Sequence, residues 1–335
     1  MNASSPKIQK KSSGPSFWSR LLAEIVGLAR DYWKDAPRAA KNKSPAGAAS
    51  GQNGSFSRLL AEASSEELTP EEAPEEASEE KTTGGHWRAD RIQVMQKIWG
   101  EGYVTPGGDA FFDLLTKPLE CTANKSVLDL SAGLGGGARF LATKYKAIVT
   151  GFEVDPVMAK RGTMMSIAAG KAKMAGVCAY DPEKFATAKK YDCVVARELF
   201  YRVIGKARFF RTISESMVPQ GRIVFSDYLL DSGAHEKPDI AAWLAARRKA
   251  SPFSFREMLE AWQGAGIEIQ ENKDETDRIM REIMRSLAAF TLFLSTHKPD
   301  SVTKIYVLKE IELWARQAAA MKAGLRLFRF SGQKK

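Results

Sequence analysis

Val127-Leu128-Asp129-Leu130-Ser131-Ala132-Gly133-Leu134-Gly135-Gly136-Gly137 decides how the rest of the chain is read. A short apolar run that meets an acid and then breaks into glycines is the end of a strand followed by a ligand-accessible turn. Glycine has no Cβ, so a ligand can approach bare backbone, and the turn can use positive φ. Ala138 to Tyr145 reads as a helix, and Ala147-Ile148-Val149-Thr150-Gly151-Phe152-Glu153 as a second strand ending on an acid. Glu153 lies 20 residues after Gly133, a spacing at which a carboxylate binds ribose hydroxyls.

Three readings fit this unit. Gly133, Gly135 and Ala138 satisfy the dinucleotide pattern G-x-G-x-x-G/A, which is weak by itself. Asp129 favours S-adenosylmethionine. A dinucleotide-binding strand runs apolar straight into its first glycine. Here an acid precedes that glycine and can answer the ammonium of a ligand that carries no pyrophosphate. A plain glycine turn is the third reading. Val177-Cys178-Ala179-Tyr180-Asp181 places another acid after a third strand, suited to the adenine amino group. Tyr191 to Ala196 reads as a fourth strand, Phe209 to Met217 as a helix, Val218-Pro219-Gln220-Gly221 as a turn, and Arg222 to Tyr228 as a strand. Alternating strands and helices predict an α/β fold with a mostly parallel sheet.

The C-terminal third continues the alternation. A helix over 239–250 ends in Arg247-Arg248-Lys249. Ser254 caps a second through Gln263, with Glu257 completing a capping box. Ile267-Glu268-Ile269-Gln270 is a strand, two long helices cover Asp277–Ser295 and Ser301–Met321, and Leu325 to Phe330 is the last strand.

With these stretches in place, the chain resembles the class I S-adenosylmethionine-dependent methyltransferases, and within them the phosphoethanolamine N-methyltransferases. The resemblance spans about residues 86–335. It is carried by Trp99-Gly100-Glu101-Gly102-Tyr103-Val104-Thr105-Pro106-Gly107-Gly108, by Val127 to Gly137, and by Ala196-Arg197-Glu198-Leu199-Phe200-Tyr201-Arg202-Val203 with Ser226-Asp227-Tyr228. It implies a Rossmann-like, mostly parallel seven-stranded sheet with helices on both faces. The last strand would run antiparallel at the sheet's edge, and a helical cover would be inserted near the C-terminus.

By the same resemblance Thr105 and Gly133 contact the methionine part of the donor, with Asp129, Ser131 and Gly135 in the same loop. Glu153 takes the ribose and Asp181 the adenine. Arg197 and Glu198 lie where donor meets acceptor, and Tyr228 lines the acceptor pocket. The chain also departs from the family. Trp87 and Arg202 stand where the catalytic tyrosine and histidine would be, and neither side chain is a neutral-pH base. Gln317 stands at a phosphate-holding lysine. A phosphate-binding arginine falls at Arg247 or Arg248; the alternative is that these residues only favour a helix C-terminus.

Methyl transfer is an in-line displacement, and alignment of the reacting groups is worth about 7–11 kcal/mol. Glu198 is the candidate base, assisted by Tyr228 or Tyr103. The alternative is a structural carboxylate that pairs with Arg197 or Arg202. The fourth strand is followed by Ala196-Arg197-Glu198-Leu199 and not by the Asn/Asp-Pro-Pro-Tyr/Phe string of nucleobase amino methyltransferases. The expected acceptor is therefore a small amine, phospho-base or lipid-like molecule, and nucleic acid is not expected. Two rival readings are a donor-binding scaffold that has lost its chemistry and a protein or RNA methyltransferase.

Composition sets bounds. The chain has 335 residues, 44% of them hydrophobic, and a net charge of +10. Residues 1–85 hold 11 basic and 12 acidic residues, so the excess lies in 86–335. A basic domain attracts phosphate-bearing substrates, anionic lipid or nucleic acid, or is simply well solvated. Cys121, Cys178 and Cys193 show no metal spacing and are expected to be reduced core residues of a cytoplasmic protein. His86, His235 and His297 are scattered, so no metal site is expected. No apolar run approaches the roughly 20 residues of a membrane span, and the N-terminus shows no signal-peptide stretch.

Residues 1–85 read as a disordered tail, rich in small, polar and charged residues. Residues 66–80, with eight glutamates, form an acidic linker. Two segments stand out. Residues 17–34 have helical apolar spacing, and Ser-Arg-Leu-Leu-Ala-Glu at 19–24 recurs at 57–62. Residues 17–34 and 56–62 are expected to be helical docking motifs for a protein partner. The first copy has an anionic membrane surface as its other option, and helix-prone filler is the plain alternative.

Overall fold

The computed structural model describes residues 88–247 and 249–335, with Ala23 and Gly27, both helical, before them. The expectations for the tail, the acidic linker, residues 17–34 and 56–62, Trp87 and Arg248 otherwise lie outside the described residues. The larger of two compact units holds Trp87–Leu287 and Pro299–Lys335. Ala288–Lys298 belong to the other unit, where Phe293 stacks on His297 at 4.3 Å.

The chain begins with α1 (Arg91–Trp99) and α2 (Gly108–Thr116). It then alternates through β1 (Ser126–Asp129), α3 (Gly136–Lys144), β2 (Ile148–Glu153), α4 (Pro156–Ala168), β3 (Ala175–Ala179), β4 (Tyr191–Arg197), α5 (Lys206–Glu215) and β5 (Met217–Leu230). α6 (Pro238–Ala246), α7 (Phe255–Gly264), β6 (Ile267–Asp274), α8 (Thr276–Thr296), α9 (Ser301–Ala323) and β7 (Leu325–Lys334) complete it. The seven strands order as β3-β2-β1-β4-β5-β7-β6, and β7 alone runs against the others. β1, at the centre of this parallel half, delivers Asp129 and the glycine loop to the carboxyl end of the sheet, where open α/β sheets bind ligands.

Local chemistry explains the element ends. Asp155 caps α4 by accepting the Val157 and Met158 N–H groups, and Pro156 supplies a first helical residue that needs no partner. The Ser254–Glu257 capping box forms: Ser254 N–H donates to Glu257 Oε2 at 2.7 Å, and Glu257 N–H donates to Ser254 Oγ at 3.3 Å. One core forms where Leu128, Val194, Ile223 and Phe225 of the strands meet Phe209 and Phe210 of α5 and Trp262 of α7. Phe210 stacks on Trp262 at 4.4 Å.

Four expectations are corrected. β7 is antiparallel but not at the edge: it lies between β5 and β6. Its Leu325, Leu327 and Phe330 are fully buried, whereas β6 exposes Glu268 and the Glu271–Asp274 run. A charged, solvated strand suits an edge, where it blunts pairing with other chains. The expected turn at 218–221 is a bulge inside β5, with Gln220 at φ 61° and a register shift against β4. The helix expected over 239–250 stops at Ala246. Cys178 is exposed because β3 is an edge strand; Cys121 and Cys193 are buried, and all three are free thiols. Among the described residues no helix is long and apolar enough to cross a membrane.

Candidate active site

The glycine loop is built on two left-handed glycines, Gly133 (φ 55°) and Gly135 (φ 74°), the second of which precedes α3. It packs backbone to backbone on the loop after α1. Gly136 N–H donates to the Gly102 carbonyl at 3.2 Å, and a Cβ on Gly136 would sit 2.5 Å from that oxygen. Tyr103, next in that loop, is buried, and its hydroxyl donates to Asp109 at 2.5 Å. Burial and the Asp109 carboxylate push this phenol upward, so its proton is held.

Three acids surround the loop. Asp129 is 2% exposed and accepts the Ser131 N–H at 3.1 Å; burial pushes its carboxyl up to about 7. Glu153 accepts the Gly133 N–H and the Asp155 N–H, both at 2.9 Å, and burial raises it against those two bonds. Asp181, exposed after β3, caps a short turn by accepting the Glu183 N–H at 3.0 Å. Ser131 Oγ accepts the Arg197 N–H at 2.5 Å, tying the loop to the end of β4. The Arg197 guanidinium donates to Thr105 Oγ1 and to the Pro106 carbonyl, both at 2.9 Å, between the rings of Tyr103, Phe111 and Phe112. Its Nε is buried without a hydrogen bond. A carboxylate for an ammonium, one for ribose hydroxyls, one for an adenine amine, and bare backbone between them fit S-adenosylmethionine.

A second set of groups stands beside this one. Glu198 is 7% exposed, and its φ of 51° is a left-handed conformation that costs a non-glycine residue about 1–3 kcal/mol. Its N–H donates to the Ser226 carbonyl at 2.7 Å, which holds the kink, while Oε1 is buried without a partner. Asp227 and Tyr228 follow on β5, both fully enclosed. Asp227 Oδ2, Ser226 Oγ and the Tyr228 hydroxyl also lack hydrogen bonds. Burial raises the Asp227 carboxyl well above the usual range, and burial with the nearby Glu198 carboxylate raises Tyr228. Tyr201 packs edge-on against Tyr228 at 5.5 Å and also lies 5.5 Å from Trp243 of α6.

Over this group sits Gln317 of α9, fully buried. Its Oε1 accepts the Trp243 Nε1–H at 2.6 Å and an Arg247 N–H at 2.5 Å. Arg247 Nε and Gln317 Nε2 remain unsatisfied. Buried polar atoms are almost always paired, so orphans on Glu198, Ser226, Asp227, Tyr228, Arg247 and Gln317 mark a place for solvent or ligand. Arg202 is exposed, and its Nε donates to the Tyr201 hydroxyl at 2.7 Å. The structure thus gathers Glu198, Tyr228, Arg202 and Arg247 into one region. Tyr103 packs against the Arg197 guanidinium and donates its hydroxyl to Asp109.

Sequence reasoning passed over Asp227, Tyr201, Trp243 and Asp109. Asp227 carried a signal: an acid inside the apolar run Phe225–Leu230 of a strand has no core role unless it is paired or used. Tyr201 and Trp243 carried none, since an aromatic beside apolar residues reads as core.

Fold and site define a Rossmann-like domain whose glycine loop and three acids suit a methyl donor. Residues 108–272 match the family model described as methyltransferase domain, and the chain belongs to the S-adenosylmethionine-dependent methyltransferases. It is 25% identical over 203 residues to phosphoethanolamine N-methyltransferase 1 of Triticum aestivum, a match covering 60% of this chain and 40% of that protein. It is 32% identical over 102 residues to the chloroplastic tocopherol O-methyltransferase of Arabidopsis thaliana, covering 30% of this chain and 29% of that one. Phosphoethanolamine N-methyltransferase 2 of Haemonchus contortus, solved with S-adenosyl-L-methionine, superposes with a TM-score of 0.64 at 17% identity, covering 72% of this chain and 56% of that one. That last likeness is one of fold.

Proposed function

We propose that this chain transfers a methyl group from S-adenosylmethionine to a small acceptor that carries an amine. The observation that carries the reading is Glu198: buried, held in a strained kink beside Arg197, and left with an unpaired carboxylate oxygen. When bound, the donor supplies an electrophilic sulfonium methyl. Asp129, Glu153 and Asp181 hold its ammonium, ribose and adenine, and Arg197 fixes Thr105 against the loop. Glu198 orients the amine and takes the proton it gives up as its lone pair forms the new N–CH3 bond; the S–CH3 bond breaks with its electron pair left on sulfur, and S-adenosylhomocysteine is the leaving group. Tyr201, Tyr228 and Trp243 wall off water and present π-faces to the cationic product. Arg247, steadied by Gln317, faces an anionic group on the acceptor.

The resemblance to phosphoethanolamine N-methyltransferases supports a phospho-base, and the local similarity to the tocopherol enzyme supports a lipid-like acceptor. Arg202 at the position of the family's histidine favours a second reading, a donor-binding scaffold without turnover. Labelled S-adenosylmethionine with phosphoethanolamine as acceptor separates the two. Product formation that falls about 10²–10⁴-fold in Glu198→Gln, with donor affinity kept, supports the first; donor binding with no turnover on any small-molecule fraction supports the second. A cytoplasmic location, and docking of residues 17–34 and 56–62 on a protein partner, belong to this proposal. A pull-down in which deleting both segments changes neither partners nor location would refute the docking.

A further inference from the structure

Eight large apolar side chains are exposed among the described residues, and five of them fall in one stretch: Ile148, Val154, Val157, Met164 and Ile167. The last three lie on α4 and are 63%, 59% and 59% exposed. Positions 157 and 164 are two turns apart and 167 is three further on, so they share the outer face of the helix. The inner face is given to Ala159, Gly162 and Ser166, all buried, and a Cβ on Gly162 would lie 3.1 Å from the Gly133 carbonyl. One side of α4 therefore supports the donor loop, and the other shows solvent a row of aliphatic side chains.

Charge narrows what covers that row. From Pro156 to Tyr180 the chain carries Lys160, Arg161, Lys171 and Lys173 and no Asp or Glu. Lys160 and Lys173 are exposed. Aliphatic side chains set among lysines match the boundary between anionic headgroups and acyl chains. A second copy meeting this face across a two-fold axis would place lysine against lysine with no carboxylate from the segment to separate them. Nucleic acid would use the charge but gain nothing from protruding valine, methionine and isoleucine.

We propose that the outer face of α4 docks this domain on an anionic lipid surface. α4 lies along the bilayer, with Val157, Met164 and Ile167 inserted at the interface and Lys160, Lys171 and Lys173 on the headgroups. Val154 and Val157 stand at the carboxyl end of the sheet, next to Glu153, and Ile204, 64% exposed, rims the same end beyond β4. Docking on α4 thus brings the mouth of the site close to the membrane plane.

The test is co-sedimentation of the full chain with phosphatidylcholine vesicles and with vesicles that also contain phosphatidylglycerol. Wild type is expected to bind only the anionic vesicles, with binding reduced by high salt. Val157→Asp with Met164→Asp is expected to weaken binding roughly tenfold or more, and Lys160→Glu with Lys173→Glu to do likewise, at unchanged thermal midpoints. The proposal fails if wild type ignores anionic vesicles or if the aspartate pair binds them as wild type does. It fails equally if sedimentation velocity shows a dimer that the aspartate pair dissolves, or if the chain binds RNA but no vesicle.

Discussion

On the proposed donor site, Asp129 links donor binding to pH. Its carboxyl is pushed up to about 7 by burial. Below that pH it is neutral and offers an ammonium no counter-charge; above it, it is ionised. Calorimetric affinity for S-adenosylmethionine should therefore rise as pH climbs through about 7, by up to roughly tenfold per unit on the acid side. Asp129→Asn should flatten the profile and bind weakly throughout. In the free protein the same shift acts on stability. A carboxyl with a native pKa above its unfolded value of about 3.9 contributes stability that is full below that pH and is lost as pH rises through the native value. The shift in melting temperature on adding donor should accordingly be larger at pH 8 than at pH 6.

Glycine substitutions test the loop at the same scale. A Cβ added at Gly264 would meet nothing within 4 Å, so Gly264→Ala should stabilise by about 0.4–1 kcal/mol in urea denaturation. Gly136→Ala should do the opposite and weaken donor binding, because its Cβ would meet the Gly102 carbonyl at 2.5 Å. The need for bare backbone was visible in the glycine run itself. The identity of the facing backbone was not, since Gly102 comes from a loop 34 residues earlier.

At the scale of elements, what is written in neighbouring residues was legible and what depends on distant pairing was not. The Ser254–Glu257 capping box and the acid and glycines that end β1 and open α3 involve short-range chemistry. The placement of β7 inside the sheet depends on which of β6 and β7 has the apolar sides to be buried on both faces, a comparison between strands more than 50 residues apart. The candidate donor-side acids were legible because Asp129 and Glu153 each end a strand and Asp181 follows one by two residues. The acceptor half was not, because Asp227, Tyr201, Trp243 and Gln317 converge from β5, the loop after β4, α6 and α9. Trp262 shows what such convergence is worth. It stacks on Phe210 and packs against Phe200 and Phe225, and Trp262→Ala should cost about 3–5 kcal/mol in chemical denaturation.

For the whole molecule, the sheet gathers Asp129 and Glu153 at the carboxyl ends of its strands while the helices inserted after β5 and β6 bring Trp243, Arg247 and Gln317 together beside Tyr201 and Tyr228. The chain spans 40% of the length of the wheat phosphoethanolamine N-methyltransferase it matches, so the substrate of that protein remains a proposal for this one. The basic charge of residues 86–335 and the aliphatic face of α4 suit a domain that works beside an anionic surface.

Methyl transfer to a small acceptor can be followed by the label itself. Purified chain is incubated with methyl-labelled S-adenosylmethionine and a cell extract, which is then separated into small-molecule, protein and RNA fractions. Wild type is expected to put label in the small-molecule fraction, resistant to protease and nuclease, and Glu198→Gln about 10²–10⁴-fold less. Label confined to protein or RNA, or no transfer by a wild-type chain that binds the donor, would contradict it.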